Sequence, residues 1–415
     1  MFSPAFVTQV FAGKGGPADT LVQRLYAQPP ADDVILLPAC LNFPLPSLDP
    51  PPMTTTARLS DPLTLTRGPA WAHRITLAPL TNWQSHADGT LGEDEYRWLT
   101  MRAQGGFAMT MTCAAHVQAG GQGFPGQLGA WADAHLPGLT RLAQGIHAAG
   151  SVSSLQIQHS GRRSDVKLTG QQPVAPWDDA ETGARALSTA EVEQLIEDFI
   201  AAALRGEQAG FQGVELHGAH GYLLAQFLDA EHNQRSGRYG GSFENRTRIL
   251  FEIIDGIRAR TGPALQLGLR LSPERFGITM PDSLALAQAM LAGGKLDYLD
   301  MSLWDCFKAP LDAAYAGKPL IQHFAELDRG HTRLGVAGKI MDAATAQRCL
   351  SAGVDFVLIG RSAMLHHDFA RRALADAGFR CIERPVSRAH LQREGLGPAF
   401  LQYVSSTWSG FVEAA

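Results

Sequence analysis

Ala209-Gly-Phe-Gln-Gly-Val-Glu-Leu-His217-Gly-Ala-His220-Gly-Tyr222-Leu-Leu-Ala-Gln-Phe-Leu228 begins as a strand and ends as a loop. Val214, Glu215 and Leu216 carry the strand, and polar groups arrive where the apolar run stops. Two imidazoles stand three residues apart, and a phenol follows two residues later. In a parallel α/β barrel the carboxyl end of each strand is where side chains meet substrate. His217, His220 and Tyr222 at one strand end are therefore expected to be catalytic. A metal site is not expected here. A zincin needs its two histidines four apart on a helix with a glutamate between them, and no cysteine or carboxylate follows this pair at ligand spacing.

Outward from this stretch, short apolar strands alternate with amphipathic helices, the rhythm of a parallel sheet with crossover helices. Strands are expected near Ile75–Ala78, Phe107–Met111, Ser153–Ile157, Val214–His217, Leu265–Leu271, Tyr298–Ser302, Thr332–Val336 and Phe356–Ile359. Helices are expected near Glu93–Gln104, Pro137–Ala149, Thr189–Ala209, Phe243–Thr261, Asp282–Ala292, Ala343–Ala352 and His367–Ala377. Ser188-Thr-Ala-Glu191 opens the third helix with a capping-box pattern. Eight strands imply an α/β fold of the closed (β/α)₈ TIM barrel type. A doubly wound sheet is the alternative, but Thr81-Asn-Trp-Gln stands where its Gly-rich fingerprint belongs.

Other strand ends also carry chemistry. Ala78-Pro79-Leu80-Thr81 ends the first strand, and Gln156-Ile-Gln158-His159-Ser-Gly161-Arg162 ends the third. Alternation keeps Gln158 on the side of Gln156 and turns His159 away, so His159 reads as a structural neighbour. Leu269-Arg270-Leu271-Ser272-Pro273 ends the fifth strand. An arginine among apolar residues is costly unless paired, so Arg270 calls for a bound anion or a buried carboxylate. Val336-Ala337-Gly338-Lys339 and Ile359-Gly360-Arg361 end the seventh and eighth, where barrels commonly hold a phosphate. Glycine lets backbone N–H groups approach an anion, and a guanidinium grips it through two parallel bonds. Met301-Ser302-Leu303-Trp304 ends the sixth strand, where Trp304 either lines a pocket or closes the barrel top.

Residues 209–250 strongly resemble the old yellow enzyme family of flavin-dependent oxidoreductases. The likeness continues through Asn233-Gln-Arg-Ser-Gly-Arg-Tyr-Gly-Gly-Ser-Phe-Glu-Asn-Arg246 and covers nearly everything from Leu63 to Phe379. The resemblance implies FMN at the carboxyl face of the barrel. Pro79 and Thr81 would meet the flavin ring, Gln156 its pyrimidine edge, and Arg270 the negative charge of its reduced form. Gly338, Gly360 and Arg361 would hold the phosphate, with Lys339 contributing less. NADH or NADPH would reduce the flavin, and an electron-poor alkene would then take the hydride. His217 and His220 would each donate an N–H to the substrate's carbonyl oxygen, and Tyr222 would protonate the α-carbon. Asn82 stands where the family usually has arginine. The His-x-x-His pattern marks one branch, since much of the family has asparagine at the position of His220. Asn245 and Arg246 are read as structural. Two further functions remain open at this level: reduction of a quinone, free flavin or oxygen, and a non-catalytic flavin-binding redox sensor. The intact His217, His220 and Tyr222 set argues against the sensor.

Composition narrows the setting. The 415 residues are 45% apolar and 18% charged, with a net charge of −5. That excess of acid argues against a nucleic-acid partner. Cys40, Cys113, Cys306, Cys349 and Cys381 are scattered and form no C-x-x-C pair, which fits a reducing cytoplasm and argues against an iron–sulfur cluster. No apolar run approaches a membrane span of about 20 residues, and no signal peptide is expected. A homo-oligomer is compatible with the sequence. Residues 1–57, which run into Pro50-Pro-Pro52, are expected to be a loosely ordered extension, with Met53 an alternative start. Residues 58–415 are expected to form the barrel.

Overall fold

The structure is a computed structural model and describes residues 57–414. The extension expected before Ala57 lies outside the described residues, and the compact unit begins at Arg58. The barrel strands are β1 (Ile75–Leu77), β2 (Met109–Met111), β3 (Val152–Gln158), β4 (Gly213–Gly218), β5 (Gln266–Leu271), β6 (Tyr298–Ser302), β7 (Arg333–Ala337) and β8 (Phe356–Ile359). Each pairs in parallel with the next, and β1 pairs with β8 through Ile75↔Val357, so the sheet closes. All eight expected strands are present, with ends displaced by one or two residues. Two residues, Ala115–His116, add a short ninth strand beside β3.

Besides a single turn at Val166–Thr169, the helices of the described residues are α1 (Glu93–Gln104), α2 (Leu136–Ala148), α3 (Thr189–Gln208), α4 (Leu223–Leu228), α5 (Phe243–Arg260), α6 (Met280–Ala292), α7 (Leu320–Ala325), α8 (Ala343–Ser351), α9 (Arg361–Leu365), α10 (Phe369–Ala375), α11 (Arg388–Arg393) and α12 (Pro398–Thr407). The capping box at α3 forms as expected: Glu191 N–H donates to Ser188 Oγ at 3.2 Å, and Ser188 N–H to Glu191 Oε2 at 2.8 Å. The helix expected at His367–Ala377 is corrected to α10, with the separate short α9 before it. Other partners claim the residues between them. Glu394 Oε2 accepts from the His367 N–H at 2.6 Å, and His366 Nε2 accepts from the Ile382 N–H at 3.0 Å.

Aromatic side chains plug the amino-terminal end of the barrel. Trp71 packs edge-on against Tyr298 and Phe356, with ring centroids at 5.6 and 4.9 Å. Its indole N–H donates to Gln266 Oε1 at 3.0 Å. Gly268 and Gly335 make the room: a Cβ on either would run into the ring of Tyr298 or Phe356. With that end filled by hydrocarbon, the polar inward side chains gather toward the carboxyl end.

Candidate active site

Six non-glycine residues among those described hold a positive φ: Trp83, His220, Arg275, Phe276, Trp304 and Lys339. All lie in loops that follow barrel strands, at the carboxyl face. Such conformations are disfavoured for residues with a Cβ and persist only where surroundings enforce them, typically around functional sites.

His220, at φ 61°, shows how that is done. Its N–H donates to Ser272 Oγ at 3.0 Å, and its carbonyl accepts from Arg163 Nη1 at 2.6 Å. Its Nδ1 lies 2.9 Å from His217 Nε2, and its Nε2 lies 2.8 Å from Ser302 Oγ. Every polar group of the residue is engaged. In this structure the two imidazoles bond each other. Burial pushes His217 well below the usual imidazole range and His220 down to about 3, with the positive charges of Arg270 and Arg163 adding to the effect. Both rings are neutral near pH 7, so they act as hydrogen-bonding groups and not as cations.

Tyr222 leads into α4, its ring 5.1 Å from that of His217. The Arg163 guanidinium lies over the Tyr222 ring at 5.0 Å. Burial raises the phenol's pKa and the Arg163 charge partly offsets this, so the hydroxyl keeps its proton. That hydroxyl makes no hydrogen bond among the described residues, as a group reserved for a ligand requires.

The residues assigned to a flavin converge on the same face of the barrel. The Thr81 hydroxyl, half-buried beside Pro79 at the end of β1, has no hydrogen-bond partner among the described residues. Gln156 donates to Glu215 Oε1 at 2.7 Å, which leaves its amide oxygen and one N–H for a ligand. Arg270 has a carboxylate partner after all, Asp300 Oδ2 at 3.1 Å from Nε, while its Nη groups make no hydrogen bond among the described residues. Gly338 is needed for packing, since a Cβ there would press on the backbone of residues 304–306. A Cβ on Gly360 would meet only Leu80, at 3.7 Å, so this backbone stays open to approach. Arg361 has no ion-pair partner among the described residues, and burial lowers its pKa, with the nearby Arg384 charge adding to the effect. Lys339 is spent on Asp305 at 3.0 Å. Free donors at one end and unpaired guanidinium at the other fit a planar, hydrogen-bonding group that ends in a phosphate.

Other assignments sort by location. His159 is buried, and its Nδ1 accepts from the Gly161 N–H at 2.9 Å, a structural bond. Arg246 ties three segments together through Leu228 O at 2.7 Å, Gly241 O at 3.1 Å and Asp282 at 2.8 Å. Trp304 is 46% exposed at the rim, its ring 6.1 Å from that of His220, with Arg275 stacked on it at 4.9 Å. Sequence reasoning missed Arg163, Ser302, Asp300 and Tyr403. Tyr403, from α12, packs at a tilt against Trp83 with ring centroids 4.9 Å apart and lies within electrostatic reach of Tyr222. Strand alternation could have found Ser302 and Asp300, which share one face of β6. No local signal marks Arg163.

A profile of the NADH:flavin oxidoreductase / NADH oxidase family matches residues 58–377. The chain is 35% identical over 318 residues to the probable NADH-dependent flavin oxidoreductase YqiG of Bacillus subtilis, a match covering 74% of this chain and 85% of that protein. It is 34% identical to the NADH:fumarate oxidoreductase of Klebsiella pneumoniae over 78% of this chain but only 36% of that protein. Among solved structures, morphinone reductase in complex with tetrahydroNAD superposes with a TM-score of 0.67 at 28% identity, covering 80% of this chain and 94% of that one.

Proposed function

The chain belongs to the NADH:flavin oxidoreductase / NADH oxidase family, the old yellow enzymes, and from that premise we propose that it reduces activated carbon–carbon double bonds of α,β-unsaturated carbonyl or nitro compounds. As a member it is an NAD(P)H-dependent flavin oxidoreductase that uses FMN. When bound, FMN supplies a ring that accepts hydride from the nicotinamide and passes it to carbon. Thr81, Gln156 and Arg270 would hold that ring, and Gly360 and Arg361 its phosphate, with Gly338 shaping the loop beside them.

The observation that carries the reading is the coupled set His217–His220–Ser302 beside the unpartnered hydroxyl of Tyr222. An oxygen that gains charge needs donors aimed at it. His217 Nε2 and His220 Nδ1 can both be donors only if His220 Nε2 carries no proton. Ser302 permits this, because a hydroxyl both donates and accepts. With Ser302 donating to Nε2, the proton of His220 sits on Nδ1, and both rings offer N–H to an oxygen entering between them. Without a ligand, His217 Nε2–H donates to His220 Nδ1 instead, and the His220 proton then sits on Nε2 and is donated to Ser302 Oγ. Tyr222, neutral through burial, holds the proton that the α-carbon needs.

Steady-state turnover of purified protein against a panel of enones, nitroalkenes and quinones tests this. Turnover with the activated alkenes, yielding the saturated products, is expected. Turnover confined to quinones or oxygen would overturn the substrate class while leaving the flavin assignment in place.

A further inference from the structure

Two carboxyl groups share one guanidinium in the dry interior of the barrel, and their charges do not balance. Glu215 on β4, Arg270 on β5 and Asp300 on β6 are all buried. Arg270 Nε is 3.1 Å from Asp300 Oδ2. Glu215 Oε1 accepts from Gln156 Nε2 at 2.7 Å, but Glu215 Oε2 and both Asp300 oxygens have no hydrogen-bond partner among the described residues. The Tyr298 phenol, 3.3 Å from Ser154 Oγ, closes the cluster against Glu215. With both carboxyls ionised, two anions would face one cation, and an uncompensated buried charge is strongly disfavoured. The cluster therefore holds one proton. Burial raises the pKa of both carboxyls, the Asp300 charge raises Glu215 further, and Arg270 pulls both back.

We propose that Glu215 and Asp300 couple proton uptake to reduction of the flavin that Gln156 and Arg270 contact, an inference that rests on the FMN placement given above. Hydride from the nicotinamide brings two electrons and one proton to the ring and leaves it one negative charge richer. That charge draws on Arg270, the only cation of the cluster. The remaining carboxylate loses its compensation and takes one proton from solvent. Reoxidation removes the charge and releases the proton. Because Asp300 pairs with Arg270 and Glu215 bonds Gln156, either can be the acceptor when the other is gone.

Reduced-minus-oxidised infrared difference spectra of the wild-type holoenzyme test this with no substitution at all. A gained carbonyl band of a protonated carboxyl, shifted by deuterium oxide, is expected. The midpoint potential followed against pH should show one more proton per two electrons than in E215Q/D300N, whereas E215Q alone should keep the extra proton at Asp300. No gained carboxyl band in the wild type, or the same proton count in the double variant, would overturn the coupling. FMN titration of Gln156→Ala separates the two layers. Unchanged FMN affinity would remove the placement itself, while weakened affinity with no carboxyl band would remove only the coupling.

Discussion

His220 has a left-handed backbone on a residue with a Cβ, and four hydrogen-bonding partners hold it there. Ser302 is the partner whose role can be isolated. Removing its hydroxyl leaves His220 Nε2 without a donor, so the proton returns to Nε2 and Nδ1 becomes an acceptor facing the ligand. Ser302→Ala is expected to weaken binding of a para-substituted phenol, measured by its charge-transfer band, by roughly 2- to 10-fold. His217→Ala should weaken it by roughly 10- to 100-fold, the value of a bond to a charged oxygen. An unchanged band and affinity in His217→Ala would remove that ring from the ligand site. The three motif residues were legible because they crowd one strand end. Ser302 and Arg163 were not, since each acts on His220 across a gap of 82 or 57 residues.

Strands were the most legible elements, because each is a short apolar run whose polar residues begin where it stops. The α9–α10 break was hidden. His367 fits a helical pattern, and Glu394, brought in by the C-terminal segment, binds its N–H and turns it out of the helix. Two glycines within strands, Gly268 and Gly335, are sockets for aromatic rings. Gly268→Ala should destabilise the fold by about 1–3 kcal/mol through overpacking against Tyr298, read from urea denaturation. Unchanged stability would mean that the Tyr298 ring moves aside freely. At the other end, the β7 and β8 loops differ in what they leave free. Lys339 is paired with Asp305, whereas Arg361 has no ion-pair partner among the described residues. Arg361→Ala is therefore expected to raise the FMN dissociation constant more than Lys339→Ala. Equal effects in a titration would place the phosphate elsewhere.

Across the whole molecule, burial sets an acid limit. His116 is lowered to about 4 and His159 and His220 to about 3, and His217 lies well below the usual range, all chiefly through desolvation. Unfolded, each would titrate near 6.5. Below that pH the unfolded chain binds protons that the folded chain refuses, so stability is complete above about pH 6.5 and falls as pH drops toward the folded values. Each histidine adds a slope of up to about 1.4 kcal/mol per pH unit. Glu215 and Asp300 act in the opposite sense, because their raised pKa values let the folded chain keep protons that the unfolded chain sheds. With His73, His135, His147 and His366 also lowered by burial and Glu95 also raised, eight histidines outweigh three carboxyls among the described residues on the acid side. Urea denaturation from pH 4 to 8 should show stability highest near neutrality and falling below roughly pH 6, and a flat profile across the acid range would contradict this. The net charge of −5 gave no hint of it, because the histidines that matter are the buried ones.

The most direct measurement is anaerobic stopped-flow on Tyr222→Phe, with each half-reaction followed through the flavin absorbance. Reduction by NADH or NADPH requires no proton from this phenol and should run at close to the wild-type rate. Oxidation by a weakly activated enone requires one at the α-carbon and should slow by roughly 10²–10⁴-fold, the usual contribution of a general acid. A nitroalkene, whose product can leave as a stabilised anion, should be slowed less. Equal slowing of both half-reactions, or slowing of neither, would contradict the assignment of Tyr222 as proton donor and with it the reading of this site as an alkene reductase.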